Sequence, residues 1–430
     1  MFALLLEWLN TLWSSIIHLR PLVFALEKLG LIKKKPTSLT SDRYQGIGST
    51  GQSSQKKSSS TIEFPLLPVH PLPKIYDEKA KSYFVQDFDI DTDDPQEILK
   101  FFNDYGVVVF RNILSEEQID RSIQEVWEDL EESEGFKKHD PESWKRVSRL
   151  GILGDAVYWK RTGMENRQNE KLVRAFELLY ARSRSELWTS FDRVGVLTPT
   201  LNIPIPYYDY KSLPKSCIPN ETPLSSKTIN MEHLRTESQW LHWDCNPFCV
   251  LGEFPPSTES EEENMSILEL NPNYYLITEN NGNHGLLRLQ GVLQLTESRE
   301  EDGGFLCVPG FHNHAQEYVE KLSSIRPGPK CTFLSVFRGD NLLTQTQKVP
   351  AKAGSLIVWN TLLPHANYPN HSERFRICQY IKMIPRKGSE SFQKLRASKI
   401  QEHARHFSFV PSETGKQVFG FELLDEYKQL

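Results

Sequence analysis

Gln239-Trp240-Leu241-His242-Trp243-Asp244-Cys245-Asn246-Pro247 opens the part of the chain whose reading decides the fold. From here on, short apolar runs alternate with turn residues: Leu286 to Leu295, Phe305 to Val308, Thr332 to Phe337, Ser355 to Trp359 and Phe375 to Ile384. Runs of this length, broken by Gly, Pro, Asn and Asp, predict the strands of a sandwich or barrel. Asp302-Gly303-Gly304 reads as a hairpin-type turn, and Pro309-Gly310 ends the strand after it. Within the opening stretch His242 and Asp244 are two residues apart, so on a strand both project from one face and can reach one metal ion. Alone the tripeptide says little, because among 12 His a chance His-x-Asp is expected about once at ordinary Asp frequency.

The second half of the pattern is Ala353-Gly354-Ser355-Leu356-Ile357-Val358-Trp359-Asn360-Thr361-Leu362-Leu363-Pro364-His365, continuing through Asn370 to Arg374-Phe375-Arg376. A strand here delivers His365 at its end, and the returning strand carries arginines. Two His and one carboxylate make a metal face with three open positions, the donor set of non-haem Fe(II) oxygenases. An Arg on the neighbouring strand supplies a planar fork for a carboxylate.

Upstream the reading is helical. Asp94-Pro95-Gln96-Glu97 starts a short helix with Ile98, Phe101, Phe102 and Tyr105 on one face, and Gly106 to Phe110 follows as a buried strand. Ser115-Glu116-Glu117-Gln118 is a capping box opening a helix lined by Ile119, Ile123, Val126 and Leu130. A further helix is expected over Lys171 to Phe191, with Leu172, Phe176, Leu179 and Trp188 inward. These are packing elements.

At the N-terminus, residues 1–35 are apolar and amphipathic, with a polar stripe of Glu7, Asn10, Thr11, Ser14 and His18 and a basic end at Lys33, Lys34 and Lys35. Glu7, His18 and Arg20 interrupt every window long enough to span a bilayer. Contact with a membrane surface and docking on protein fit this pattern equally. Residues 36–62 are rich in Ser, Thr, Gly, Gln and Lys, the composition of a linker, so the folded part is expected over 63–430. Gly252 to Ser266 reads as a solvated acidic loop.

Composition narrows the classes. The 430 residues are 25% charged and 38% hydrophobic, within the range of folded proteins, which excludes collagen-like and wholly disordered chains. A net charge of -6 gives no basic field for a nucleic acid backbone. Six Cys without a C-x-x-C pair indicate neither a disulfide framework nor structural zinc, so an intracellular setting, cytoplasmic or membrane-associated, is expected.

The blocks together resemble the phytanoyl-CoA dioxygenase family of Fe(II)/2-oxoglutarate-dependent oxygenases. They stand in the family's order: Gly106 to Glu117, then His242 and Asp244, then Gly303-Gly304-Phe305-Leu306-Cys307-Val308-Pro309-Gly310-Phe311-His312, then Gly354 to Trp359, His365 and Arg376. Thr414-Gly415-Lys416 to Phe419-Gly420 extends the likeness into the tail. Phe311 departs from the usual Ser, and the acidic loop at 252–266 is a second departure. The resemblance implies a mainly β fold with flanking helices, a cupin-like double-stranded β-helix or jelly roll. It implies that His242, Asp244 and His365 ligate Fe(II), and that Arg376 holds the distal carboxylate of 2-oxoglutarate, with Arg374 in reserve. O2 is then the co-substrate, and a C–H bond of a small organic substrate, of lipid or acyl type, is hydroxylated. Because related halogenases replace the carboxylate ligand with a small residue, Asp244 favours hydroxylation. An inactive scaffold that keeps the barrel and a cupin-type protein hydroxylase are the other readings. His312 and His314 are weaker ligand candidates, since the family's equivalent of His312 ends a structural loop. Cys245 and Cys249 have no fourth ligand at zinc spacing.

Overall fold

The computed structural model describes residues 63–68, 70–146, 151, 158–204, 228–238, 240–251, 288–327, 334–386 and 389–425. The N-terminal segment 1–35, the linker 36–62, the acidic stretch 252–266, Gln239, Cys217 and Cys331 lie outside the described residues.

The strands that build the site are, in chain order, β1 (Asp87–Phe88), β2 (Val107–Phe110), β3 (Val194–Leu197), β4 (His242–Trp243), β5 (Leu289–Gln294), β6 (Gly304–Cys307), β7 (Leu334–Ser335), β8 (Gln347–Lys348), β9 (Leu356–Asn360), β10 (His365–Tyr368) and β11 (Arg376–Tyr380). They form a six-stranded sheet in the order β1-β2-β9-β5-β11-β3 and a five-stranded sheet in the order β7-β4-β10-β6-β8. Every pair is antiparallel except β1 with β2. Phe305 of β6 meets Trp359 of β9 at a ring separation of 4.2 Å, so side chains of the two sheets meet in a shared interior.

The larger sheet is covered on its other face by helix, which explains why β2, β5 and β9 are buried throughout, β2 reading as an unbroken apolar run. Gly291 shows the closeness of that cover: a Cβ there would lie 2.7 Å from the Ile381 carbonyl and 3.1 Å from the Phe176 ring. Phe176 belongs to α3 (Glu170–Tyr180), which follows α1 (Pro95–Tyr105) and α2 (Glu116–Asp129). The first two match the capping signals. Asp94 caps α1, Ser115 and Gln118 form a reciprocal box on α2, and Gly106 ends α1 at φ 71.

Four expectations change. The chain is mixed rather than mainly β, because among the described residues more lie in helices than in strands. The helix foreseen over Lys171 to Phe191 stops at Tyr180, where Ala181 turns left-handed at φ 50. Leu187–Thr189 then pairs as a strand with Met383–Pro385, so the tertiary partner overrides the helical period and Trp188 is buried in a strand. Asp302-Gly303 bends the chain into β6, which opens at Gly304, but β5 and β6 belong to different sheets, so no hairpin forms. His365 opens β10 rather than closing β9, because Thr361–Pro364 carries the chain from one sheet to the other. No described helix is long and apolar enough to cross a membrane.

Candidate metal centre

β4 and β10 are neighbours, and the register pairs His242 directly with His365. Directly opposite residues hold their Cβ atoms about 5 Å apart, and the two imidazole rings meet at 4.6 Å. Asp244 lies just beyond β4, and one ligand atom from each of the three residues falls within 4.8 Å of the others. Asp244 Oδ1 is 3.3 Å from His242 Nε2, and Oδ2 is 3.7 Å from His365 Nε2. Both histidines are buried, while the Asp244 side chain is 36% exposed and marks the open side.

The ring orientations have a local cause. His242 Nδ1 lies 2.9 Å from the Trp240 carbonyl and His365 Nδ1 3.0 Å from the Leu363 carbonyl. A carbonyl can only accept, so each Nδ1 carries a proton and each Nε2 is the nitrogen turned toward Asp244, the orientation of metal-ligating imidazoles. Stacking of Trp240 on His242 at 4.7 Å, and the Trp359 ring 5.2 Å from His365, hold the planes. Burial acts to raise the Asp244 carboxyl, but the Lys382 ammonium at 3.8 Å and the two histidines outweigh it and hold the carboxyl well below the usual range. Burial pulls His365 below the ordinary histidine value, against the opposing pull of Asp244. The cluster therefore presents a carboxylate and a neutral imidazole, the protonation states that bind a divalent metal.

Arg376 opens β11 and is fully buried. Its Nε donates to Gln294 Oε1 at 3.2 Å, while Nη1 and Nη2 have no hydrogen-bond partner. On the same face of β11, the Tyr380 hydroxyl accepts from Asn367 Nδ2 at 2.9 Å, and Asn367 is two residues from His365 on β10. Arg376 thus faces the space between the sheets that His365 also faces. Arg374 does not. Its Nη2 reaches Glu301 and, at 2.8 Å, Asp302, and its side chain is 34% exposed.

The other candidates stay outside the cluster. His312 Nε2 donates to the Asn103 carbonyl at 3.1 Å, and neither His312 nor His314 joins the grouped ligands. Burial pushes the Cys245 thiol up to about 12, so it is no thiolate at neutral pH. Phe311 is core, its ring 5.2 Å from Tyr318 and 5.7 Å from Trp243. Sequence reasoning missed Gln290, whose Nε2 donates to Asp244 Oδ2 at 2.6 Å, and Lys382. A polar residue in the buried run of β5 was the available signal for Gln290; Lys382 left none.

The chain is similar to several known proteins. The family model described as phytanoyl-CoA dioxygenase matches residues 283–378, a stretch holding His365 and Arg376. A Dictyostelium discoideum protein named "Putative phytanoyl-CoA dioxygenase" is 26% identical over 298 residues, covering 66% of this chain and 74% of its own. A solved "Putative Oxidoreductase" from Salmonella typhimurium LT2 is 14% identical with a TM-score of 0.45, over 75% of this chain and 82% of that one. The epimerase SnoN of nogalamycin biosynthesis, solved with Fe3+ and alpha ketoglutarate, is 13% identical with a TM-score of 0.37, over 68% and 83% of the two chains.

Proposed function

On the premise that the chain is a relative of the phytanoyl-CoA dioxygenase family, we propose that it is an Fe(II)- and 2-oxoglutarate-dependent dioxygenase. One observation carries this reading: a wholly buried guanidinium with two unpartnered nitrogens faces the same interior as a two-His, one-carboxylate cluster. A buried unpaired cation is costly, and a carboxylate matching its fork removes the cost. His242, Asp244 and His365 would hold the iron, and Arg376 would take the distal carboxylate of 2-oxoglutarate. When bound, iron and 2-oxoglutarate supply the oxidising chemistry, with O2 as co-substrate.

The chain's own residues orient and exclude. The Trp240 and Leu363 carbonyls keep both imidazoles in the ligating tautomer, and Trp359 and Phe305 wall His365 off from water. A small organic substrate of lipid or acyl type is the reading carried over from the family resemblance, and the partly buried Trp240 ring stacked on His242 offers apolar surface beside the centre. Strands that switch between two facing, mainly antiparallel sheets support a double-stranded β-helix as the architecture. Residues 63–430 carry this chemistry.

The full chain, stripped of metal and mixed anaerobically with Fe(II) and 2-oxoglutarate, is expected to show a visible metal-to-ligand charge-transfer band. His365→Ala should be silent. Folded protein without a band would sink the cofactor assignment and put an inactive scaffold in first place.

A further inference from the structure

Asp244 lies outside the regular strand, on the open side of the centre, so nothing in the sheet ladder fixes its carboxylate. Two side chains from elsewhere reach it. Gln290, 3% exposed on the central strand β5, donates Nε2 to Oδ2 at 2.6 Å. Lys382, just past β11, places its ammonium 3.8 Å from the same oxygen. The amide of Gln290 is itself oriented, because its Oε1 accepts the Trp359 indole N–H at 3.1 Å. An indole nitrogen only donates, so the amide oxygen must face Trp359 and the NH2 must face Asp244.

We propose that Gln290, set by Trp359 and assisted by Lys382, is a positioning residue that holds Asp244 Oδ2 away from the metal, so that the carboxylate ligates through Oδ1 alone. The number of open positions depends on this. Two histidines and a one-oxygen carboxylate leave a six-coordinate metal three positions, whereas a chelating carboxylate leaves two. A two-oxygen co-substrate would then fill the metal and leave nowhere for O2. This role for Gln290 rests on the dioxygenase reading above.

The test uses Co(II) as the probe on the full chain, with affinity from titration and coordination number from the intensity of the visible d–d band, both read without turnover. Gln290→Leu is expected to weaken Co(II) binding by about 10–100-fold, the usual cost of losing an outer-shell partner, and to alter the d–d band. Trp359→Phe removes the indole N–H that orients the Gln290 amide and leaves a smaller aromatic ring beside His365, so the same spectral change is expected with a smaller affinity loss, about threefold to tenfold. It covers the case in which Gln290→Leu fails to fold. Lys382→Met loses the contact with Asp244 but also lifts the ammonium's repulsion of the divalent ion, so a smaller net change in Co(II) affinity is expected than in Gln290→Leu. Wild-type affinity and spectrum in the folded Gln290 and Trp359 variants would overturn the assignment. Wild-type protein that binds no Co(II) would instead bring down the dioxygenase reading, and the role of Gln290 with it.

Discussion

Lys348 on β8 and Arg376 on β11 are both buried basic side chains, 8% and 0% exposed, and burial, with the Arg376 charge adding to it, pulls the Lys348 amine down to about 7. Lys348 is saturated: Nζ donates to the carbonyls of Arg299, Glu300 and Asp302, and it lies 5.2 Å from the centre of the Tyr368 ring. Arg376 has one side-chain acceptor and two nitrogens without partners. The difference separates a basic group that holds a turn together from one that awaits an anion. Burial alone would have ranked them alike.

The largest effect expected from this contrast is on co-substrate binding. Arg376→Leu should weaken 2-oxoglutarate by roughly 30–5,000-fold, the equivalent of the 2–5 kcal/mol lost when one partner of a buried charge pair is removed. Calorimetric titration of the iron-loaded chain checks it. Arg374→Ala, its cation already engaged by Glu301 and Asp302, should stay within about threefold. Unfolding stability of Arg376→Leu should not fall, because an unpaired buried charge is being removed. Lys348→Met should do the reverse, leaving 2-oxoglutarate affinity near wild type and lowering the urea midpoint, at about 1–3 kcal/mol for each carbonyl left unsatisfied. Equal loss of affinity in both variants would erase the distinction.

His312 sharpens the contrast at smaller amplitude. One ring nitrogen is bonded and Nδ1 is unpartnered, packed against Gly106, where a Cβ would come within 2.4 Å. Unlike arginine, histidine can shed its proton, and burial pulls its pKa down to about 4 from 6.5. The unfolded chain therefore binds the extra proton first. The stability this group contributes is fully present above 6.5 and is lost as pH falls toward about 4. Urea midpoints measured across that window should drop more steeply for the wild type than for His312→Gln; parallel profiles would assign the acid sensitivity elsewhere.

The residues legible in the sequence were those whose partners are near in sequence or stand in a family order. Capping of α1 and α2 is local, and Asp94 and Ser115 announced it. His242 and Asp244 share one short stretch, and His365 with Arg376 closes the pattern. Gln290 could not be assigned because its work depends on β9 lying beside β5, which brings Trp359 to it across the sheet register. Arg376 was preferred over Arg374 by its place in the family order, but that Arg374 is already engaged by carboxylates is visible only in the structure. The end of α3 at Tyr180 was hidden because the apolar period runs through it into Trp188, whose burial comes from a strand pairing nearly 200 residues downstream.

One consequence of the sheet order concerns how the chain is made. Val107–Phe110, four buried apolar residues, pairs with Trp359–Leu356, so the ribosome must add roughly 250 residues before the partner of β2 emerges. At about 5–20 residues per second this takes on the order of 10–50 s. Throughout that interval one long edge of the strand has no mate, and a nascent chain arrested before residue 356 should be bound by chaperones that release it once β9 is out.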